Sequence, residues 1–166
     1  MKMLSVSAVA MSVVLATTAA QADILATATN VEDQGFVAGD PSLVVLDGEN
    51  EKSTIRFSTS KAGPVVVAFY AECRVNGAPE AYVDIDILVD PAGSGGFAPI
   101  PPTNDNNAMC SGYAGFPGGS GPASVSAVTA GVVNLPKGNH KVRVSAKYVG
   151  GEGAALLDDI LLSVEN

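Results

Sequence analysis

The stretch Val65-Val66-Val67-Ala68-Phe69-Tyr70-Ala71-Glu72-Cys73-Arg74-Val75 decides the fold. Its odd positions, Val65, Val67, Phe69, Ala71, Cys73 and Val75, form an apolar row, while Tyr70, Glu72 and Arg74 fall between them. Side chains alternate faces along a strand, so this is one buried sheet face written out at period two. Lys61-Ala62-Gly63-Pro64 before it and Asn76-Gly77 after it are turn signals. Beyond them the pattern continues. Ile55 and Phe57 alternate with Thr54 and Arg56 upstream, and Ala81, Val83, Ile85, Ile87 and Val89 resume the row downstream.

Working outward, Asp23 to Thr29 reads as a first strand followed by a polar loop. Leu43-Val44-Val45-Leu46 is a short apolar run closed by Asp47-Gly48. From Asp90 to Ala123 the periodicity stops in a segment rich in Gly, Pro and Asn. A structureless loop of that length is unusual in a compact domain, so both a short strand around Ala108 to Tyr113 and an ordered functional excursion are expected, with order supplied by Cys110. Alternation returns at Ser124 to Val128 and at Val132 to Leu135. In His140 to Val149, Val142, Val144, Ala146 and Tyr148 face in, and Lys141, Arg143, Ser145 and Lys147 face out. In the last strand Ile160, Leu162 and Val164 form the inner row, with Leu157 and Leu161 assigned to the other face, open to partial cover there.

About eight strands at such spacing, with turns between them and no sustained helical period, predict an all-β chain. The expected architecture is an antiparallel two-sheet β-sandwich, of jelly-roll or immunoglobulin-like type. The chain has no Trp, so the Cys…Trp…Cys core of a true immunoglobulin domain is missing.

The stretch Gly138-Asn139-His140-Lys141-Val142-Arg143-Val144, then Leu156-Leu157-Asp158-Asp159-Ile160-Leu161-Leu162-Ser163-Val164, resembles the closing strand pair of many bacterial secreted β-sandwiches. With Glu72-Cys73 and Val83-Asp84-Ile85-Asp86-Ile87, it resembles a group of uncharacterised exported bacterial proteins. The resemblance implies a sandwich fold and an exported location, and transfers no activity.

Lys2, the small apolar run Leu4 to Ala19, and Ala20-Gln21-Ala22 have the three-part form of a cleaved secretory signal. The expected division is a signal peptide over 1–22 and one β-sandwich domain over 23–166, soluble after cleavage in the periplasm or outside the cell. The 166-residue chain has 9 Lys and Arg against 17 Asp and Glu, a net charge of −8, and losing Lys2 makes it one unit more negative. That balance argues against nucleic acid and anionic membranes as partners, since phosphate binding needs a cationic face.

In an oxidising compartment the two cysteines, Cys73 and Cys110, are expected to form a disulfide. His140 is the one histidine and reads as an exposed strand end beside a turn. No G-x-S-x-G elbow accompanies it. Gly93-Ser94-Gly95-Gly96 and Gly118-Gly119-Ser120-Gly121 read as turn formers.

The most suggestive residues are Asp84, Asp86 and Asp90, which share one strand face. Residues two apart on a strand lie roughly 6.5–7 Å apart, a separation compatible with paired glycosidase carboxylates. Calcium is the one cofactor with a plausible set of oxygens, from Asp84, Asp86, Asp90 and the Asp105 of Asn104-Asp105-Asn106-Asn107. The favoured expectation is plainer: a solvated acidic row balanced by Lys141, Arg143 and Lys147, with no catalytic residue and no bound metal. The function expected is non-catalytic, a binding or structural module for a protein or glycan ligand. The alternatives are a calcium-assisted carbohydrate-binding module and a small hydrolase using Asp84 and Asp86. Intact-mass measurement of exported protein should show a chain that begins at or near Asp23; an exported chain that keeps Met1 contradicts the signal reading.

Overall fold

Rows of alternating apolar residues become strands because a pleated backbone can bury every second side chain while its N–H and C=O groups pair sideways. A computed structural model describes residues 22–78, 80–93, 95–103, 108–111 and 124–166. The expected signal segment, Ala22 aside, lies outside the described residues, as does Asp105 with its Asn neighbours. The strands are β1 (Ile24–Asn30), β2 (Gln34–Val37), β3 (Ser42–Leu43), β4 (Ile55–Thr59), β5 (Gly63–Asn76), β6 (Tyr82–Asp90), β7 (Ala98–Pro99), β8 (Ala108–Ser111), β9 (Val125–Leu135), β10 (Gly138–Val149) and β11 (Ala154–Glu165). No helix occurs among the described residues. The two runs of alternation after residue 123 are one strand, β9, and the strand expected around Ala108 is β8.

The strands form two antiparallel sheets. The first has the order β1-β11-β5-β9, with β2 also on β11. The second runs through β10 and β6, with β3 and β4 on the outer side of β10 and β7 and β8 on the outer side of β6. Of eight strands, β1, β5, β9 and β11 lie in the first sheet and β4, β6, β8 and β10 in the second, so the chain changes sheet at each step among them except from β6 to β8. This is the jelly-roll form of the sandwich. One sheet of an immunoglobulin-like sandwich has the strand order A-B-E-D, whereas here β1 pairs with the last strand, β11.

The core is made by the rows read from the sequence. Phe69, Cys73, Ile85, Ile87, Val142, Val144, Leu157, Ile160 and Leu162 are fully or almost fully buried between the sheets. Each aliphatic of this set contributes about 1.5–3 kcal/mol relative to an exposed position. Tyr148 closes one end. Its ring is buried, its hydroxyl donates to the Glu152 carbonyl at 3.3 Å, and Gly77, Gly150 and Gly153 pass so close to that hydroxyl that a Cβ on any of them would collide with it.

Two expectations are corrected. The polar loop after β1 contains a strand, β2, whose Phe36 is buried. And Leu157 faces the core rather than the outer side. The ladder between β5 and β11 slips between Asp158 and Leu161, and Asp159 takes a positive φ of 47°. A bulge inserts an extra residue and exchanges the faces beyond it, so Leu157 and Ile160, of opposite parity, are both buried.

Residues 44–46 illustrate how a buried run can do without a full ladder. Val44 and Leu46 are buried, but only Ser42–Leu43 is strand. Val45 is instead held by side chains: its N–H donates to Gln34 Oε1 at 2.7 Å, and its carbonyl accepts from Gln34 Nε2 at 2.8 Å and Asn30 Nδ2 at 2.9 Å. Burial without these partners would leave polar backbone groups desolvated.

Cys73 on β5 and Cys110 on β8 are joined by a disulfide across the two sheets, 37 positions apart in sequence and with their Cα atoms 6.3 Å apart. It closes the side of the sandwich where Cys73 pairs with Val125 of β9 and Cys110 pairs with Val83 of β6. Chain-entropy reasoning assigns about 4 kcal/mol to closing a loop of that length. Cys110→Ser should therefore lower the melting temperature clearly under non-reducing conditions, and adding reductant should bring the wild type down towards the variant.

Candidate functional site

Burying one row of a strand sends the other row outward, so the outer faces of the two sheets are set by the residues between the core positions. These two faces differ in chemistry. On the first sheet, Leu161, Tyr70 and Val128 stand in register across β11, β5 and β9, with Val66 opposite Val132. All five are exposed. A groove of about 390 Å³ runs past Tyr70, Glu72, Ser126, Val128 and Leu161. An exposed apolar face of this kind is a contact surface in many proteins.

The second sheet carries the charge. Antiparallel pairing sets Asp84 opposite Lys147, Asp86 opposite Ser145, Leu88 opposite Arg143 and Asp90 opposite Lys141. The balance between the acidic row and the basic row of β10, expected from parity, is thus a direct cross-strand register. Exposure is less than a solvated row would have: Asp84 and Asp86 are half-buried, and Ser145 is buried.

Two sequence-derived assignments change. Asp90 shares the strand face of Asp84 and Asp86 but is only 1% exposed. Its carboxylate folds back onto the turn, accepting from the Ala92 N–H at 3.3 Å and from the Gly95 N–H. Short acidic side chains favour such local bonds, and here the turn covers the residue. Asp90 therefore organises a turn and is drawn away from Asp84 and Asp86. Gly93 and Gly95, both at positive φ, form that turn, as the glycine reading expected. Among the described residues no three His, Cys, Asp or Glu side chains converge on a point that would hold a metal ion.

His140 is the second. It is 1% exposed, against the reading of an exposed strand end. Its Nδ1–H donates to the Pro91 carbonyl at 2.6 Å. Its Nε2 lies 3.0 Å from both the Thr59 hydroxyl and the Pro136 carbonyl, and the Thr59 hydroxyl itself donates to Pro136 at 2.7 Å. The ring sits 5.3 Å from that of Phe57. His140 thus ties the ends of β4, β6, β9 and β10 together. The sequence did hold the signal, since His140 has the parity of Val142 and Val144.

The other end of this face was not assembled by sequence reading. Arg56 of β4 stands directly opposite Lys141 of β10, and Ser58 opposite Asn139. Arg143 lies beside them, its guanidinium carbon 4.1 Å from the centre of the Phe97 ring and its Nε donating to the Thr54 hydroxyl at 2.8 Å. Parity marks Arg56 and Lys141 as outward, but nothing in the sequence says that β4 pairs with β10.

No family model matches the chain, and no curated protein matches it. Among solved structures, the infectious bursal disease virus Gx strain is similar at 11% identity with a TM-score of 0.42, over 96% of this chain and 37% of that one. The CBM22-1 xylan-binding domain from Paenibacillus barcinonensis Xyn10C is similar at 13% identity with a TM-score of 0.32, over 89% of this chain and 97% of that one. The chain thus spans little more than a third of the viral chain's length. At such distances neither likeness bears on what this chain binds.

Burial, and next the charge of Asp84, hold the Asp86 carboxyl above its ordinary value of 3.8. The folded protein thus binds this proton more tightly than the unfolded chain. The group costs stability when the pH is above its folded pKa, and the cost fades as the pH falls towards 3.8. Asp86→Asn should raise the melting temperature at pH 7, with a gain that shrinks to nothing by about pH 4. A lower melting temperature at pH 7 would mean that the carboxylate is stabilised in the fold, by a cation or a donor.

Proposed function

We propose that this protein is a non-catalytic jelly-roll module that works outside the cytoplasm and binds its ligand on the outer face of the second sheet. The observation that carries the reading is the polarised cross-strand register of that face. Asp84 and Asp86 lie at one end, with Lys147 opposite Asp84, and Arg56, Lys141 and Arg143 lie at the other, where Asp90 is turned onto backbone N–H groups, on strands held rigid by a buried core and by the His140 and disulfide ties. A flat sheet face with charges fixed by backbone pairing offers binding groups that need no reordering when a ligand arrives.

The same geometry weighs against the hydrolase alternative. Glycosidase carboxylates flank the scissile bond, one on each side. Asp84 and Asp86 follow each other along one strand and point the same way, so both meet a bound sugar from the same side. The raised Asp86 carboxyl has a sufficient cause in burial and its like-charged neighbour. An extracytoplasmic setting is supported by the disulfide, which belongs to an oxidising compartment, and no helix among the described residues is long and apolar enough to cross a membrane.

The test is a glycan and peptide array probed with the exported protein, run beside an assay for release of new reducing ends from every glycan bound. Binding without turnover is expected, and it should survive Tyr70→Asp on the opposite sheet. Release of reducing ends would make the protein an enzyme. Loss of binding in Tyr70→Asp, or concentration-dependent self-association that this variant abolishes, would move the function to the apolar face of the first sheet.

A further inference from the structure

Arg56 and Lys141 are an unusual pair. Like charges placed directly opposite each other on neighbouring strands repel, and such pairs are destabilising. No acidic side chain lies within ion-pair distance of either among the described residues. The acid in register with Lys141 is Asp90, whose two carboxylate oxygens are turned onto the Ala92 and Gly95 N–H groups. So in a chain of net charge −8, this end of the sheet keeps two juxtaposed cations, with a third, Arg143, next along β10.

The cations border a groove of about 570 Å³ lined by Arg56, Ser58, Ala92, Gly93, Asn139 and Lys141, with no acidic side chain among its described residues. Its polar groups are mostly donors. Guanidinium and ammonium groups have no acceptor. The Asn139 carbonyl oxygen is taken by the Ser58 hydroxyl at 2.7 Å, which leaves the amide NH₂ to serve the groove. Neighbouring His140 also lines it, but both ring nitrogens are already engaged within the protein. A donor-rich, acid-free groove matches a group that only accepts: an oxyanion.

We infer that this groove binds a carboxylate-bearing saccharide, with the uronate carboxylate between Arg56 and Lys141. The saccharide is favoured over a bare anion by what surrounds the cations. Asn139 and Ser58 are neutral hydrogen-bonding groups suited to sugar hydroxyls, and the groove is much larger than one oxyanion. The Phe97 ring, against Arg143, adds an apolar surface further along the same face. The inference rests on the binding-module reading and names its ligand class. The bound carboxylate would also relieve the Arg56–Lys141 repulsion, so ligand and fold would stabilise each other.

The experiment is calorimetric titration of the exported protein with a galacturonate hexamer, a neutral xylose hexamer, inorganic sulfate and a poly-glutamate peptide. The galacturonate hexamer should bind, with affinity falling as salt rises. Arg56→Gln and Lys141→Gln should each weaken it by roughly tenfold, the loss expected for one charge-assisted contact. Both variants should melt no lower than wild type, because each removes one of two opposed cations; that separates a lost contact from a damaged fold. The inference is overturned if galacturonate does not bind, if sulfate or poly-glutamate binds as tightly, or if neither substitution weakens binding. A neutral glycan that binds this face equally well in Lys141→Gln would leave the binding-module reading standing and overturn this one.

Discussion

The pairing of β6 with β10 is the constraint from which the rest of the second sheet follows. Val83, Ile85, Ile87 and Val89 of one strand and Val142, Val144, Ala146 and Tyr148 of the other are all buried. A slip of one residue in either strand would turn its inner row outward and drive charged residues into the core. For β10 that means burying Lys141, Arg143 and Lys147 without partners, at several kcal/mol each. The register is therefore locked by hydrophobic burial, and the charged face is its consequence. Asp84 stands opposite Lys147, and Asp90 opposite Lys141, in a register that keeps both apolar rows inside.

The jelly-roll winding then brings strands distant in sequence to both sides of this pair. β4, more than eighty residues before β10, lies along its outer edge, and this alone places Arg56 against Lys141 and Ser58 against Asn139. Two polar devices hold the sheets' ends where the core thins out. The disulfide joins β5 to β8, and His140 gathers Thr59, Pro91 and Pro136 around one buried ring. His140 backs the basic groove, and the disulfide stands near the exposed face of β9. Rigid support of this kind would keep the proposed binding face ready without a cost in ordering.

The strands and their inner rows were legible in the sequence, because alternation is a local signal that any window of five or six residues displays. The row from Val65 to Val75 is buried as the pattern predicts, as is the row from Ala81 to Val89, and the Cys73–Cys110 pairing is the one that an even cysteine count suggests for an oxidising compartment. What local pattern could not supply was whatever depends on a second segment. Leu157 is buried because a bulge opens at Asp158, and Phe36 because β2 finds an edge on β11. Asp90 and His140 are polar residues at strand ends, where composition suggests exposure. They are buried because the 91–95 turn and the Pro91 and Pro136 carbonyls close over them.

The sequence by itself determined the fold class, the inward rows of the central strands and the charge of the row between them. These depend on the two-residue period of the chain and on which side chains water rejects. Only the tertiary structure decided which sheet each strand joins, that the winding is a jelly roll, and which charges become neighbours. Strand pairing is a choice among partners far apart in the chain, settled by how the whole set of apolar rows packs together. The opposition of Arg56 and Lys141 belongs to that second kind of fact: each residue is legible as outward-facing, but their meeting is a property of the packed sheet.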